Sequence, residues 1–329
     1  MDRETAAMVL AAGLGTRLAP YTKSHPKPLL PLLDVPIIEP TLRRLAAAGI
    51  RNIVVNAFHH ADGLEQFVAG LATELAPRHP GLTLHVSREE ALLGTGGGIA
   101  RARRLFDGLP LLVVNGDVLW DFDVPLLLRR HAAAAGPATL LLHPGASPAA
   151  PRTTRVARDG RVTAIQPRGG GPDACVFTGI YVLEPAVYRM LPERFCSVVE
   201  EGLWPALQQD LRVTAEVADF PWFDLGTWAQ VLEAAHAVLT SAGDRFGLLR
   251  SLAPGEFRFP AESGAEGAYV GPLAKVASGA CVGPGTIVSS GSQLGTAARV
   301  ERVLLLPGAT VDGELSDAVA GPGWVVRRG

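Results

Sequence analysis

Residues Leu10–Leu32 read LAAGLGTRLAPYTKSHPKPLLPL and follow directly on an apolar segment, Ala6–Leu10. A short apolar run ending in glycines predicts a buried first strand. Gly13 and Gly15 come next, then Thr16 and Arg17, then Lys27 between Pro26 and Pro28. Glycines let a backbone approach a ligand closely and aim its N–H groups at it. An arginine and a lysine fixed nearby add positive charge. Together these features describe a place to hold a polyphosphate at the carboxyl end of a strand, where open α/β sheets bind ligands. The stretch is not a Walker A loop, because the Gly-Lys-Ser/Thr ending is missing. It also lacks the third Rossmann glycine, which is replaced by Leu18.

Strand and helix signals alternate outward from this stretch. Strand-like runs fall at Ile53–Asn56, Leu82–Val86, Leu111–Val114 and Thr139–His143. Helical patterns fall between them, at residues 36–48, 61–75, 97–105 and 125–135. This β-α repeat predicts an α/β fold with a doubly wound, mostly parallel sheet. Asp159-Gly160, flanked by Val156 and Val162, marks a hairpin, and residues 168–172 form a glycine loop. A strand at Val176–Leu183, a helix at 198–209, a strand at Val213–Val217 and a helix at 227–239 follow. Residues 240–266 lack periodicity and read as a linker or lid.

The last part of the chain is different. An aliphatic residue recurs every six positions at Val270, Val276, Val282, Val288, Leu294, Val300 and Leu306, after which the phase slips to Val311. Small residues follow the first five at Ala274, Ala280, Thr286, Ser292 and Ala298. A period of six fits neither a helix nor a flat strand and predicts a parallel β-helix of two to three coils. Disorder needs no such period. The expected organisation is an α/β domain over 1–240, a linker over 241–266 and a β-helix domain over 267–329.

The chain has 329 residues, 48% hydrophobic, with a net charge of −2. That is enough for a sizeable core and shows no basic excess of the kind nucleic-acid binding requires. Three widely spaced cysteines, Cys175, Cys196 and Cys281, fit no zinc site or disulfide framework. A reducing cytoplasm, no leader peptide and no membrane span are therefore expected.

Further motifs carry possible chemistry. Val113-Val114-Asn115-Gly116-Asp117 places a carboxylate at the end of an apolar strand, where it is either a turn residue or a ligand. Asp224 in Trp222-Phe223-Asp224-Leu225-Gly226-Thr227 stands just before a helix cap and is open to the same two readings. Leu93–Gly98 is a glycine run before a helix, suited to a flat base near a helix N-terminus or to a plain loop. No histidine or cysteine sits in a nucleophile motif.

The run Gly13-x-Gly15-Thr16-Arg17-Leu18-x-Pro20-x-Thr22 followed by Pro26-Lys27-Pro28 resembles the signature of the sugar-1-phosphate nucleotidyltransferases, and the likeness extends over about residues 5–240. The resemblance implies a nucleotide-diphospho-sugar transferase fold with a C-terminal left-handed parallel β-helix. It implies an enzyme, a phosphorus-group transferase making an NDP-sugar and pyrophosphate from an NTP and a sugar-1-phosphate. Leu10, Ala11, Ala12 and Gly13 would line the base, with Gly94 and Thr95. Gly15, Thr16 and Arg17 would hold the leaving pyrophosphate, and Lys27 would bridge the reacting phosphates. Asp117 and Asp224 would bind Mg2+. Asn115, Gly179 and Glu200 would contact the sugar, with Glu201 competing for the role of Glu200. Many members carry Glu-Lys-Pro in the middle segment, whose lysine grips the sugar phosphate. This chain has Gln166-Pro167-Arg168 there, so Arg168 is the candidate replacement.

Pro36-Ile37-Ile38-Glu39 through Leu45-Ala46-Ala47-Ala48-Gly49, with Gly94-Thr95-Gly96-Gly97-Gly98-Ile99 and Asn115-Gly116-Asp117, resemble mannose-1-phosphate guanylyltransferases and N-acetylmuramate-1-phosphate uridylyltransferases, and the hexad tail favours the former. Uridylyl or thymidylyl transfer to another sugar-1-phosphate is the alternative, and a non-catalytic nucleotide-sugar-binding subunit is a rival of another class. A hexapeptide acyltransferase is disfavoured, because the last histidine, His236, precedes the tail. A homo-oligomer assembled through the β-helix is expected, with no nucleic-acid partner.

Overall fold

The structure, a computed structural model, describes residues 3–145, 152–167, 174–240, 246–258 and 267–328. The chain divides into two compact units. One comprises Met1–Leu14, Thr41–Gly116 and Phe122–Trp222; the other comprises Gly15–Pro40, Asp117–Asp121 and Phe223–Gly329.

The first unit is built on a sheet of β1 (Ala6–Leu10), β2 (Asn52–Ala57), β3 (Thr83–Arg88), β4 (Leu111–Asn115), β5 (Ala138–His143), β6 (Arg152–Val156), β7 (Val162–Pro167), β8 (Cys175–Leu183) and β9 (Thr214–Val217). β1 lies between β2 and β4, parallel to both, and β3 extends the parallel run beyond β2. The cores of β1, β2 and β4 are fully buried, as continuous apolar strands covered on both faces should be. The sheet is parallel-dominated yet mixed. β8 inserts antiparallel between β4 and β5, and β9 pairs parallel to β5. An unbroken apolar strand gives no sign of its direction, which is why periodicity could not show this insertion. β6 and β7 form the expected antiparallel hairpin, with Gly160 at φ +82° in its turn.

The second unit holds the Gly15–Pro40 loop, the helix Trp228–Thr240 and the C-terminal coils. The hexads form the short strands of a parallel β-helix. Val270 stacks on Val288, Val276 on Leu294 and Val282 on Val300, each three hexads later. Turn hydrogen bonds close many corners at the small residues: Gly271 to Ala274, Ala277 to Ala280, Ser289 to Ser292 and Gly295 to Ala298. The phase slips earlier than the sequence suggested. Val288 stacks on Leu305 rather than Leu306, so one residue is lost between Val300 and Leu305. Arg302 sits at that kink with φ +51°, faces Asp317 at φ +46° in the next rung, and pairs with it at 2.7 Å. Leu305 therefore points into the coil with Val270, Val288 and Ala320. Leu304 and Leu306 point outward.

That outward face is covered. Tyr269, Ile287, Leu304, Leu306 and Val319 share a core with Leu18, Tyr21, Leu30, Leu32 and Leu33 of the loop and with the helix Trp228–Thr240. Within residues 240–266, Gly247–Leu252 forms a short helix that buries Leu249 in the same core. Glu256–Arg258 pairs antiparallel with Ala268–Val270 at one edge of the stack, and Trp324–Arg327 pairs antiparallel with Glu314–Gly321 at the other. Both elements around residue 250 are too short to show a period. No helix among the described residues is long and apolar enough to cross a membrane.

Candidate functional site

The loop after β1 is shaped by its own packing. Gly15 has φ +61°, and a Cβ there would lie 2.9 Å from Thr22 Cγ2 and 3.0 Å from Lys27 Cβ. The Thr22 hydroxyl donates to Gly15 O at 3.0 Å, so the loop folds back on itself around Lys27. Further on, Leu33 and Asp34 both have positive φ, a two-residue turn between Pro31–Leu32 and Val35–Pro36. A bulky residue in that conformation is strained. The turn is held by Asp34, whose carboxylate accepts from Ser290 N at 2.9 Å, Ser290 Oγ at 2.8 Å and Tyr269 OH at 3.0 Å. The β-helix thus anchors the loop through polar bonds as well as through its apolar face. The Trp228 indole adds a bond to Ala19 O at 3.0 Å.

This unit gathers four of the candidate residues, Arg17, Lys27, Asp117 and Asp224. Lys27 is only 7% exposed and donates to Asp117 Oδ2 at 2.5 Å. Leu225 N donates to Asp117 O at 2.9 Å, which sets Asp224 beside Asp117 despite about a hundred intervening residues. Burial raises the Asp224 carboxyl above the usual aspartate range, and the Asp117 charge raises it further. Lys27, Arg17 and a hydrogen bond from Gln230 act in the opposite direction. A Cβ on Gly226 would lie 2.8 Å from Arg17 Nη2, so the glycine makes room for the guanidinium. Thr227 caps the helix Trp228–Thr240, accepting from Gln230 N at 3.3 Å and donating to Gln230 Oε1 at 3.0 Å. Two carboxylates and two cations therefore meet at the loop, in a charge-balanced and partly dehydrated cluster.

The first unit holds the other candidates. Leu10 ends β1, with its carbonyl taken by Gly116 N at 2.8 Å. The Ala11 amide is committed to Asn56 Oδ1 at 2.7 Å. The glycine run is not a loop before a helix; Gly94–Ala102 is itself helical. Its glycines admit a neighbouring segment. A Cβ on Gly94 would come 2.6 Å from Cys196 O, and one on Gly97 would overlap Arg194 O. Thr95 Oγ1 accepts from Val198 N at 2.9 Å, which ties the run to Ser197–Glu200.

Asn115 at the end of β4 and Gly179 in β8 lie together. Thr178-Gly179 bulges out of register with β5, Gly179 has φ +78°, and a Cβ there would overlap Asn115 Nδ2. Glu200 pairs with Arg152 at 3.2 Å, and Arg152 lies over the Trp204 ring at 5.9 Å. Glu201 turns instead to Arg194 at 2.8 Å. Arg168 lies outside the described residues.

A cavity of about 990 Å³ in this unit opens at the other edge of the sheet. It is lined by Arg51, Asn52, Thr83 and Pro110, near the starts of β2, β3 and β4, so cavity size does not mark the site.

The nucleotidyl transferase family profile matches residues 6–241. The chain belongs to this family. It is 34% identical over 225 residues to a mannose-1-phosphate guanylyltransferase of Mycobacterium tuberculosis, covering 67% of this chain and 61% of that one. It is 28% identical over 246 residues to a UTP–glucose-1-phosphate uridylyltransferase of Synechocystis, covering 71% and 63%. The chain thus spans about three fifths of the length of these relatives. The fold is shared with a UDP-glucose pyrophosphorylase from Acinetobacter baumanii, at a TM-score of 0.59 and 20% identity over 76% of this chain and 98% of that one. It is shared equally with HddC from Yersinia pseudotuberculosis complexed with GMP-PN, at a TM-score of 0.58 and 20% identity over 70% and 97%.

Asn56 and Glu89 escaped the sequence reading. Asn56 lies near the end of β2 and Glu89 just after β3. Applying to every parallel strand the rule that singled out Asp117, a polar residue at a carboxyl end, would have found both.

Proposed function

We propose that this chain transfers a nucleotidyl group from an NTP to a sugar-1-phosphate and releases pyrophosphate. The observation that carries this is the cluster of Arg17, Lys27, Asp117 and Asp224 around the glycine loop. A nucleophile that is already a phosphate anion needs no general base. The sugar phosphate oxygen forms a bond to the α-phosphorus, the bond to the bridging oxygen breaks, and its electron pair leaves on pyrophosphate. Such a reaction is driven by positioning and charge neutralisation. Lys27, fixed by Asp117, holds the reacting phosphates in line. Arg17, seated over Gly226, takes the charge of the leaving group, with the Gly15 and Thr16 backbone. Ala11 to Gly13, Gly94 and Thr95 receive the base, while Asn115, Gly179 and Glu200 receive the sugar.

The donor set suits a hard divalent cation. Asp117 and Asp224 offer only oxygens, and the Asp117 charge acts on Asp224. Mg2+ is commonly held by one or two carboxylates plus substrate phosphates. When bound there, Mg2+ would supply charge neutralisation at the transferring phosphate.

GTP and mannose-1-phosphate are the favoured pair, following the mannose-1-phosphate guanylyltransferase relative. A panel of NTPs against sugar-1-phosphates, read by pyrophosphate release, tests this. Fastest release from GTP with mannose-1-phosphate is expected, and release from another pair reassigns the substrates. Nucleotide binding without release from any pair would favour a non-catalytic subunit. Gly179→Ala is expected to displace Asn115 and raise KM for the sugar-1-phosphate about tenfold, through a strained φ and a lost contact. An unchanged KM would remove Asn115 and Gly179 from the sugar site.

A further inference from the structure

We propose that Glu89 is a positioning residue of the nucleotide pocket, holding the loop after β1 and the glycine-run helix in one fixed spacing. This rests on the reading that the base binds at Ala11–Gly13 and Gly94–Thr95. The Ala11 amide donates to Asn56 Oδ1 at 2.7 Å, and Asn56 Nδ2 donates to Glu89 Oε1 at 2.7 Å. The Leu93 amide donates to Glu89 Oε2 at 3.0 Å. A single chain of bonds therefore runs from the residue after β1 to the residue just before Gly94. Asn56 is 2% exposed and Glu89 3%.

A buried carboxylate is expensive unless it is well bonded. Here both oxygens accept from neutral N–H groups, each on a different element. Burial raises the Glu89 carboxyl, and the Asn56 and Leu93 bonds, with the Arg101 charge, pull it back down. Gly98 leaves the room this bridge occupies, since a Cβ there would lie 2.8 Å from both Asn56 Nδ2 and Glu89 Oε1. An amide at position 89 cannot replace the acid. One of its two ends must then turn a donor toward another donor, Asn56 Nδ2 or Leu93 N.

The test is steady-state kinetics of pyrophosphate release on the full chain, with thermal melts as a check on folding. Glu89→Gln is expected to raise KM for the NTP about tenfold, the worth of one broken buried hydrogen bond. Neither kcat nor KM for the sugar-1-phosphate should change more than about threefold, as uniform loss of nucleotide binding predicts. Gly98→Ala wedges the bridge without altering its charge and should give the same pattern. Asn56→Asp sets two carboxylates face to face and should be at least as impaired. Combining Asn56→Asp with Glu89→Gln reverses the polarity of the bridge and restores every bond, so the NTP KM should return to within about threefold of wild type.

An active wild type whose Glu89→Gln and Gly98→Ala variants keep a normal NTP KM overturns the positioning role alone. So does a double variant no better than Glu89→Gln, or a melting temperature that falls with both KM values unchanged. Should Glu89→Gln not fold, Gly98→Ala and the double variant decide. A wild type that releases no pyrophosphate from any NTP overturns both this role and the reading beneath it.

Discussion

Asp117→Asn is expected to lower kcat for pyrophosphate release by roughly three orders of magnitude or more, the scale of losing a central electrostatic group. The fold should survive. An amide oxygen can still accept from the buried Lys27, and the bond from Leu225 N to the Asp117 carbonyl belongs to the backbone. What disappears is one of two carboxylates able to hold a divalent cation, along with the fixed charge that orients Lys27. Asp117→Ala should cost as much turnover and more stability, because Lys27 then loses its acceptor in a site that is 7% exposed. Melting temperature separates the two variants and kcat unites them. An Asp117→Asn enzyme within tenfold of wild type would remove this residue from the chemistry.

Removing the chain after residue 245 should abolish turnover altogether. Tyr269, Ile287, Leu304, Leu306 and Val319 are each 0–1% exposed and face the loop and the helix Trp228–Thr240. At about 1.5–3 kcal/mol for each large apolar side chain, losing them removes on the order of 10 kcal/mol, as much as the whole stability of many domains. The same cut takes away Ser290 and Tyr269, which hold Asp34 and its strained turn. The shortened protein is expected to aggregate or to melt without cooperativity. Asp34→Ala, which breaks only the polar anchor, should lose a smaller share of kcat and keep a cooperative melt. A soluble truncated chain with wild-type kcat would show that the coils do not support the loop.

Much of this was legible in the sequence, for physical reasons. β1, β2 and β4 are continuous apolar runs between glycines or polar turns, so their place as buried strands followed from composition alone. The hexads were legible because an apolar residue at every sixth position matches neither the helical nor the strand period. Gly15, Arg17 and Lys27 stood out as charge and glycine in unusual company, whereas Asp117 and Asp224 looked as much like turn residues until the family resemblance singled them out. The direction of β8 was not legible, since pairing partners rather than local pattern decide it. The glycine run misled in part: its glycines are required by Arg194 and Cys196, far away in sequence. Glu89 and Asn56 were hidden because a polar residue near the end of an apolar strand looks like an ordinary turn. The slip at Arg302 escaped because Leu304, Leu305 and Leu306 are interchangeable by composition and differ only in which way they face.

A parallel coil stack is an open template, since each rung offers its backbone to another just like it. In this chain the outermost parallel rungs of one face meet strands running the opposite way, Glu256–Arg258 on one side and Trp324–Arg327 on the other. A second molecule's coil cannot continue that ladder in parallel register, and the last strand ends in Arg327. Filament growth along the coil axis is thereby blocked on this face.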